Sequence, residues 1–98
     1  MRKAYLVGHI TITNPQGYAV YSAQVPSTIA AFGGKYLVRG GETTLLENTQ
    51  LGERSVVIEF PNRAAAESWY HSDAYQTIIK HRLDNAIGTV MLIDGYES

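Results

Sequence analysis

The sequence predicts an α+β chain of the ferredoxin-like kind, βαββαβ, with one four-stranded antiparallel sheet and its helices on one side. Three observations predict it. Two stretches with apolar residues at helical spacing each lie between stretches of strand character. The two central strands are separated by a polar, glycine-bearing segment, the mark of a hairpin-type connection. Two βαβ halves joined this way, each with a right-handed crossover, place both helices on the same sheet face. The chain has 98 residues, enough for a single domain over 1–98.

Residues 3–12 read as the first strand, with Tyr5, Val7, His9 and Thr11 on one face and Ala4, Leu6, Gly8, Ile10 and Ile12 on the other. Asn14-Pro15 is a helix start, an N-cap followed by proline at the first helical position. Tyr18, Tyr21, Val25, Ile29 and Phe32 then share a helical face. Pro26 removes one backbone donor and predicts a kink or restart, and Gly33-Gly34 closes the helix. Residues 35–39 form a short strand, Gly40-Gly41 permits a bulge, residues 42–47 can continue extended, and 48–53 read as a loop.

Residues 55–60 form the third strand, alternating Val56, Ile58 and Phe60 against Ser55, Val57 and Glu59. Asn62 caps a helix with Ala65, Ala66 and Trp69 on its apolar face, and Ser72-Asp73 restarts it. Tyr75, Ile78, Ile79, Arg82, Leu83 and Ala86 form the next inner stripe, Gly88 ends it, and residues 89–95 make the last strand. Whichever sheet face the helices cover, the other still presents apolar residues such as Val7, Val57, Met91 and Ile93. Such a face is larger than monomers usually expose, and a second copy's sheet is its economical cover, so the expected partner is a homodimer through sheet-on-sheet packing.

Composition excludes several classes. The net charge of −1 offers no basic field for nucleic acid. No apolar run approaches the roughly 20 residues that span a bilayer, and the start lacks the pattern of a cleaved signal, so the expected setting is cytoplasmic, with no membrane or nucleic-acid partner. The chain has no cysteine, which excludes disulfides, thiolate metal sites and thiol nucleophiles. The three histidines have no ligand spacing, no HExxH, phosphate loop or GxSxG is present, and neither metal nor organic cofactor is expected.

The residues that remain for chemistry are few. His9 is a candidate acid or base within the first strand, or a strand histidine bonded to a neighbour. Arg39, beside Gly40-Gly41, suits the grip on a carboxylate or enolate, or a salt bridge to Glu59. Glu59, in an apolar strand, needs a partner, expected to be Arg39, Arg82 or His9. In this strand order the first and third strands are neighbours, so His9, Arg39 and Glu59 form the candidate catalytic group. Arg82, Trp69, Tyr75, Tyr18 and Tyr21 are core residues or the lining of a pocket.

The segments GGKYLVRGG at 33–41 and VIEFPNRAAAESWYHSDAYQTI at 57–78, followed by Arg82, resemble the bacterial domain of unknown function 1330 family, within the dimeric α/β-barrel superfamily. The resemblance implies a ferredoxin-like protomer whose sheet packs on a partner's sheet to close a barrel. It implies no reaction, since the family has none assigned. Relatives by fold include cofactor-independent monooxygenases, lactone isomerases and haem-processing enzymes, an analogy of fold alone. The expected function is a homodimer that binds a small molecule. It is either a cofactor-independent enzyme acting on a small carboxylated or enolisable compound, or a non-catalytic structural or ligand-binding dimer.

Overall fold

The computed structural model describes residues 2–97. Strand β1 (Ala4–Ile12) leads to helix α1 (Pro15–Ala30), strands β2 (Lys35–Arg39) and β3 (Arg54–Phe60), helices α2 (Arg63–Tyr70) and α3 (Asp73–Leu83), and strand β4 (Ala86–Asp94). The sheet order is β2-β3-β1-β4 and every pairing is antiparallel, which is the ferredoxin-like arrangement.

The helix starts form where the sequence places them. Asn14 accepts a hydrogen bond from the Gly17 amide, Asn62 from Ala65 and Ser72 from Tyr75, each satisfying a donor that the first turn leaves free. Pro26 lies inside α1 without ending it. Gly88 does not end α3. That helix stops at Leu83, and Gly88 lies within β4 at φ 144°, where a Cβ would strike the His9 carbonyl oxygen and Ile10 Cα. β4 therefore starts earlier than the sequence suggests. Ala86 belongs to the strand, and Leu83 is exposed rather than part of the inner stripe. Residues 42–47 are not extended sheet either: β2 ends at Arg39, β3 begins at Arg54, and the segment between runs exposed.

The helices cover the face that carries Ala4, Leu6, Gly8 and Ile10 of β1 and Val56, Ile58 and Phe60 of β3. Trp69, Tyr75, Phe60 and Ile29 are its fully buried large side chains. Trp69 donates to Thr28 Oγ1 at 3.0 Å, so its indole nitrogen enters the core with a partner. The molecule is only 17 Å through its thinnest direction, room for one sheet and one helix layer. The opposite sheet face is bare, with Ile87, Met91 and Ile93 of β4 and Val38 of β2 exposed. Among the described residues no helix is long and apolar enough to cross a membrane.

Candidate functional site

The site begins with a β-bulge. β2 pairs with β3 as Tyr36 to Ile58 and then Val38 to Val57, so Leu37 is the extra residue. One inserted residue reverses the alternation that follows it. Tyr36 and Arg39, which strict alternation would put on opposite faces, therefore both lie on the helix side. Arg39 opposes Val56 there, and its guanidinium sits 4.7 Å from the Tyr36 ring centre.

The proline in α1 holds Arg39 in place. Pro26 has no N–H, so the Ser22 carbonyl four residues earlier has no helical donor. Arg39 Nη2 supplies one across the layer at 2.8 Å. Gly40, at φ 68°, follows at once. A side chain there would occupy the space taken by the Arg54 guanidinium. The conformational freedom of this glycine thus admits a second arginine beside the first. Arg82 comes from the last turn of α3 and completes a group of three.

These guanidiniums line a cavity of about 40 Å³ between sheet and helices, with Tyr18, Tyr21, Tyr36 and Tyr75 around it and Leu6, Val25, Val56 and Ile58 as apolar wall. One water needs roughly 10–15 Å³ by this measure, so the space suits a carboxylate head or a few waters. Three of the chain's eight basic side chains line this cavity, and among the described residues no Asp, Glu or His lines it. Arg54 Nε and Arg82 Nε are buried without a hydrogen-bond partner. Burial works against the charge of Arg82, yet the neighbouring Tyr75, Tyr21 and Tyr70 outweigh it and raise its pKa, so it stays charged.

Tyr21 and Tyr75 share a hydrogen bond of 2.9 Å between their hydroxyls. Burial above all, with Tyr75 adding to it, pushes the Tyr21 pKa far up, so its hydroxyl keeps its proton. Tyr36 is also raised, by burial, with Arg39 opposing. The cavity therefore sets guanidiniums and tyrosine hydroxyls side by side in an apolar wall.

The expected group of His9, Arg39 and Glu59 does not assemble. His9 and Glu59 lie on the bare face, opposite Ser55 and Tyr5 respectively, four residues apart along β1, whereas Arg39 lies on the covered face. Glu59 pairs with neither Arg39, Arg82 nor His9. Lys3 and Lys35 flank it at 3.3 and 3.5 Å, and Tyr5 donates to it. Its burial opposes ionisation, but these partners prevail and hold its carboxyl below the ordinary glutamate value. His9 Nδ1 lies 3.2 Å from the Ser55 hydroxyl. Of the expected pocket residues, Tyr18, Tyr21, Tyr75 and Arg82 line the cavity, while Trp69 is core behind it. Arg54 escaped the sequence reading, although it has the same parity in β3 as Val56, Ile58 and Phe60. Extending the strand by one residue at its start would have placed it on the covered face.

Comparison with known proteins agrees with this architecture. The model of the family described as Domain of unknown function (DUF1330) matches residues 3–96. A crystal structure of a protein of unknown function from Rhodopseudomonas palustris is similar at a TM-score of 0.74 and 20% identity, over 95% of this chain and 80% of that one. The cofactor-independent oxygenase SnoaB from Streptomyces nogalater is similar at a TM-score of 0.65 and 13% identity, over 100% and 97%. An antibiotic biosynthesis monooxygenase follows at 0.56 and 11%, over 100% and 99%. At these identities the likeness is one of fold. No curated protein matches the chain.

Proposed function

The chain belongs to the DUF1330 family, whose name carries no reaction, and from its own residues we propose that it is a homodimer that binds a small carboxylate in the cavity between sheet and helices. One observation carries the ligand class: three guanidiniums line the cavity and no carboxylate answers them. Charges gathered in an apolar setting repel one another and are costly to desolvate, and an anion relieves both. Arginine suits a carboxylate in particular, because its planar fork can meet both oxygens.

The same donors fit a carboxylate at rest or an enolate oxygen during reaction. Among the described residues the cavity lining holds no His, Asp or Glu to act as a general base. Binding is therefore the first reading. The second, a cofactor-independent enzyme for an enolisable compound, is favoured by the convergence of Arg82 with the Tyr21 and Tyr75 hydroxyls, where an enolate oxygen would be stabilised.

Assembly rests on the bare sheet face. Ile87, Met91, Ile93 and Val38 are exposed there, and a second copy's sheet would cover them about a two-fold axis. His9 and Glu59 would then face the partner rather than the arginines. Sedimentation equilibrium at micromolar concentration should return about twice 10.8 kDa. A folded monomer at that concentration would refute the dimer.

The ligand is tested by thermal shift with acetate, propanoate and butanoate on the unaltered chain and on Arg39→Met and Arg54→Met. At a ligand concentration 100 times its Kd the gain is about 2.7 kcal/mol, which is readily seen in a domain of this size. Stabilisation confined to the unaltered chain supports the site. Equal stabilisation of the arginine variants removes it.

A further inference from the structure

The arginine cavity does not end at its own walls. Leu6 and Val90, which line it, also line a second space of about 280 Å³ on the β4 side, between that strand and α2. Leu6 is only half-buried, although it lies in the central strand β1 on the covered face, where a leucine is ordinarily enclosed. The helix layer therefore stands clear of the sheet along a trough from Arg39 at one end towards Leu92 at the other. Gly8 deepens its floor. A Cβ at this position would sit 3.7 Å from Val90 Cγ2, an ordinary contact, so packing tolerates a methyl group there and does not require glycine.

The two ends differ in character. The inner end is small, charged and ringed by hydroxyls. The outer space is floored by Leu6, Val90 and Leu92 and roofed by Ala66 and Tyr70, with a charged rim where Arg63 pairs with Glu67 at 3.5 Å. We propose that the ligand is an elongated monocarboxylate, its head held by Arg39, Arg54 and Arg82 and its apolar body laid across Leu6 and Val90 into the groove beneath α2. This rests on the anion-binding reading above and adds the ligand's shape. The inner cavity alone is too small for more than the head, and the apolar route out of it leads to a space several times larger.

Calorimetry with butanoate, hexanoate, octanoate and decanoate tests it. Each added methylene should tighten binding by about fourfold until the groove is filled. Leu92→Trp, which fills the groove without touching the inner cavity, should abolish that gain and leave butanoate affinity unchanged. Arg54→Met should weaken every acid in the series. Affinity that depends on Arg54 but not on chain length overturns the elongated ligand and leaves the anion site standing. A length dependence that survives Leu92→Trp places the body elsewhere, and a series whose affinities Arg54→Met leaves unchanged places the head elsewhere; either result overturns the proposal. If no acid binds at all, the anion reading fails and the elongated ligand fails with it. Circular dichroism of Leu92→Trp checks that it folds; should it not, Tyr70→Trp fills the same groove from the helix side.

Discussion

The two faces of the sheet treat charge in opposite ways. On the bare face Glu59 is met by Lys3, Lys35 and the Tyr5 hydroxyl, and His9 by Ser55. On the covered face three arginines surround a cavity with no acid in its lining, and two of their Nε atoms have no partner. A charge that is locally answered contributes to the fold and asks nothing of a ligand. Charges gathered around one cavity without a carboxylate among them contribute little to the fold, and their arrangement is explained by something that arrives later. The contrast moves the functional focus from the strand residues that carry familiar chemistry to arginines in an apolar wall.

The largest expected effect defines the limit of the covered face. Trp69→Ala should destabilise the chain by about 3–5 kcal/mol in urea unfolding, because it removes a fully enclosed ring and the donor to Thr28. A loss below about 1 kcal/mol would mean that Trp69 is not core. Next comes the centre of the bare face. Val7 lies between Val57 and Met91, and Val7→Asp should weaken the proposed dimerisation by about 30-fold or more in sedimentation, with the protomer fold intact. An unchanged association would place the dimer interface on another surface.

Arg54→Met should act in two directions. Carboxylate affinity should fall by about 10- to 100-fold, the equivalent of one charge-assisted hydrogen bond of roughly 1.5–3 kcal/mol. The ligand-free chain should become slightly more stable, by at most about 1 kcal/mol, because a half-buried, unanswered charge leaves an apolar setting. Loss of stability together with loss of binding would show that Arg54 is answered within the fold, and the contrast between the faces would collapse.

The smallest effect belongs to Glu59. Its pKa in the folded chain lies below the ordinary value of 4.5. The ionised side chain therefore adds stability above that value, and this contribution is lost as pH falls through the lower, folded-state pKa. Glu59→Gln should flatten the pH dependence of the urea midpoint between about pH 5 and 3, matching the unaltered chain at the acid end and lying slightly below it at pH 8 to 9, a small gap since the pair is largely a surface one. A Glu59→Gln curve as steep as that of the unaltered chain would assign the acid loss to other carboxylates.

The architecture was legible in the sequence because it rests on repeated, redundant signals. Asn14, Asn62 and Ser72 each mark a helix start, and the alternation of Val56, Ile58 and Phe60 identifies the covered face. The site was less legible because it depends on single residues. The bulge at Leu37 reverses the parity of β2, and nothing in KYLVR announces which residue is extra. Arg39 was therefore recognised as a candidate and Arg82 as core or pocket lining, while Tyr36 and Arg54 were not. Arg54 was missed for a related reason, since strand ends are fixed by pairing rather than by local pattern. His9 and Glu59 attracted notice by residue type, but their chemistry is consumed by near neighbours, which only the register reveals.

Pro26 has a spectroscopic consequence. Because it leaves the Ser22 carbonyl to Arg39, the carbon-13 resonance of that one carbonyl reports where the Arg39 side chain is. A ligand that draws the guanidinium inward must take a hydrogen bond away from Ser22, and no backbone amide stands ready to replace it. Carbonyl labelling at Ser22 would thus register occupancy of the cavity through a single atom of its α1 wall. Pro26→Ala would silence the reporter by restoring an ordinary helical donor, and it would free Arg39 at the same stroke.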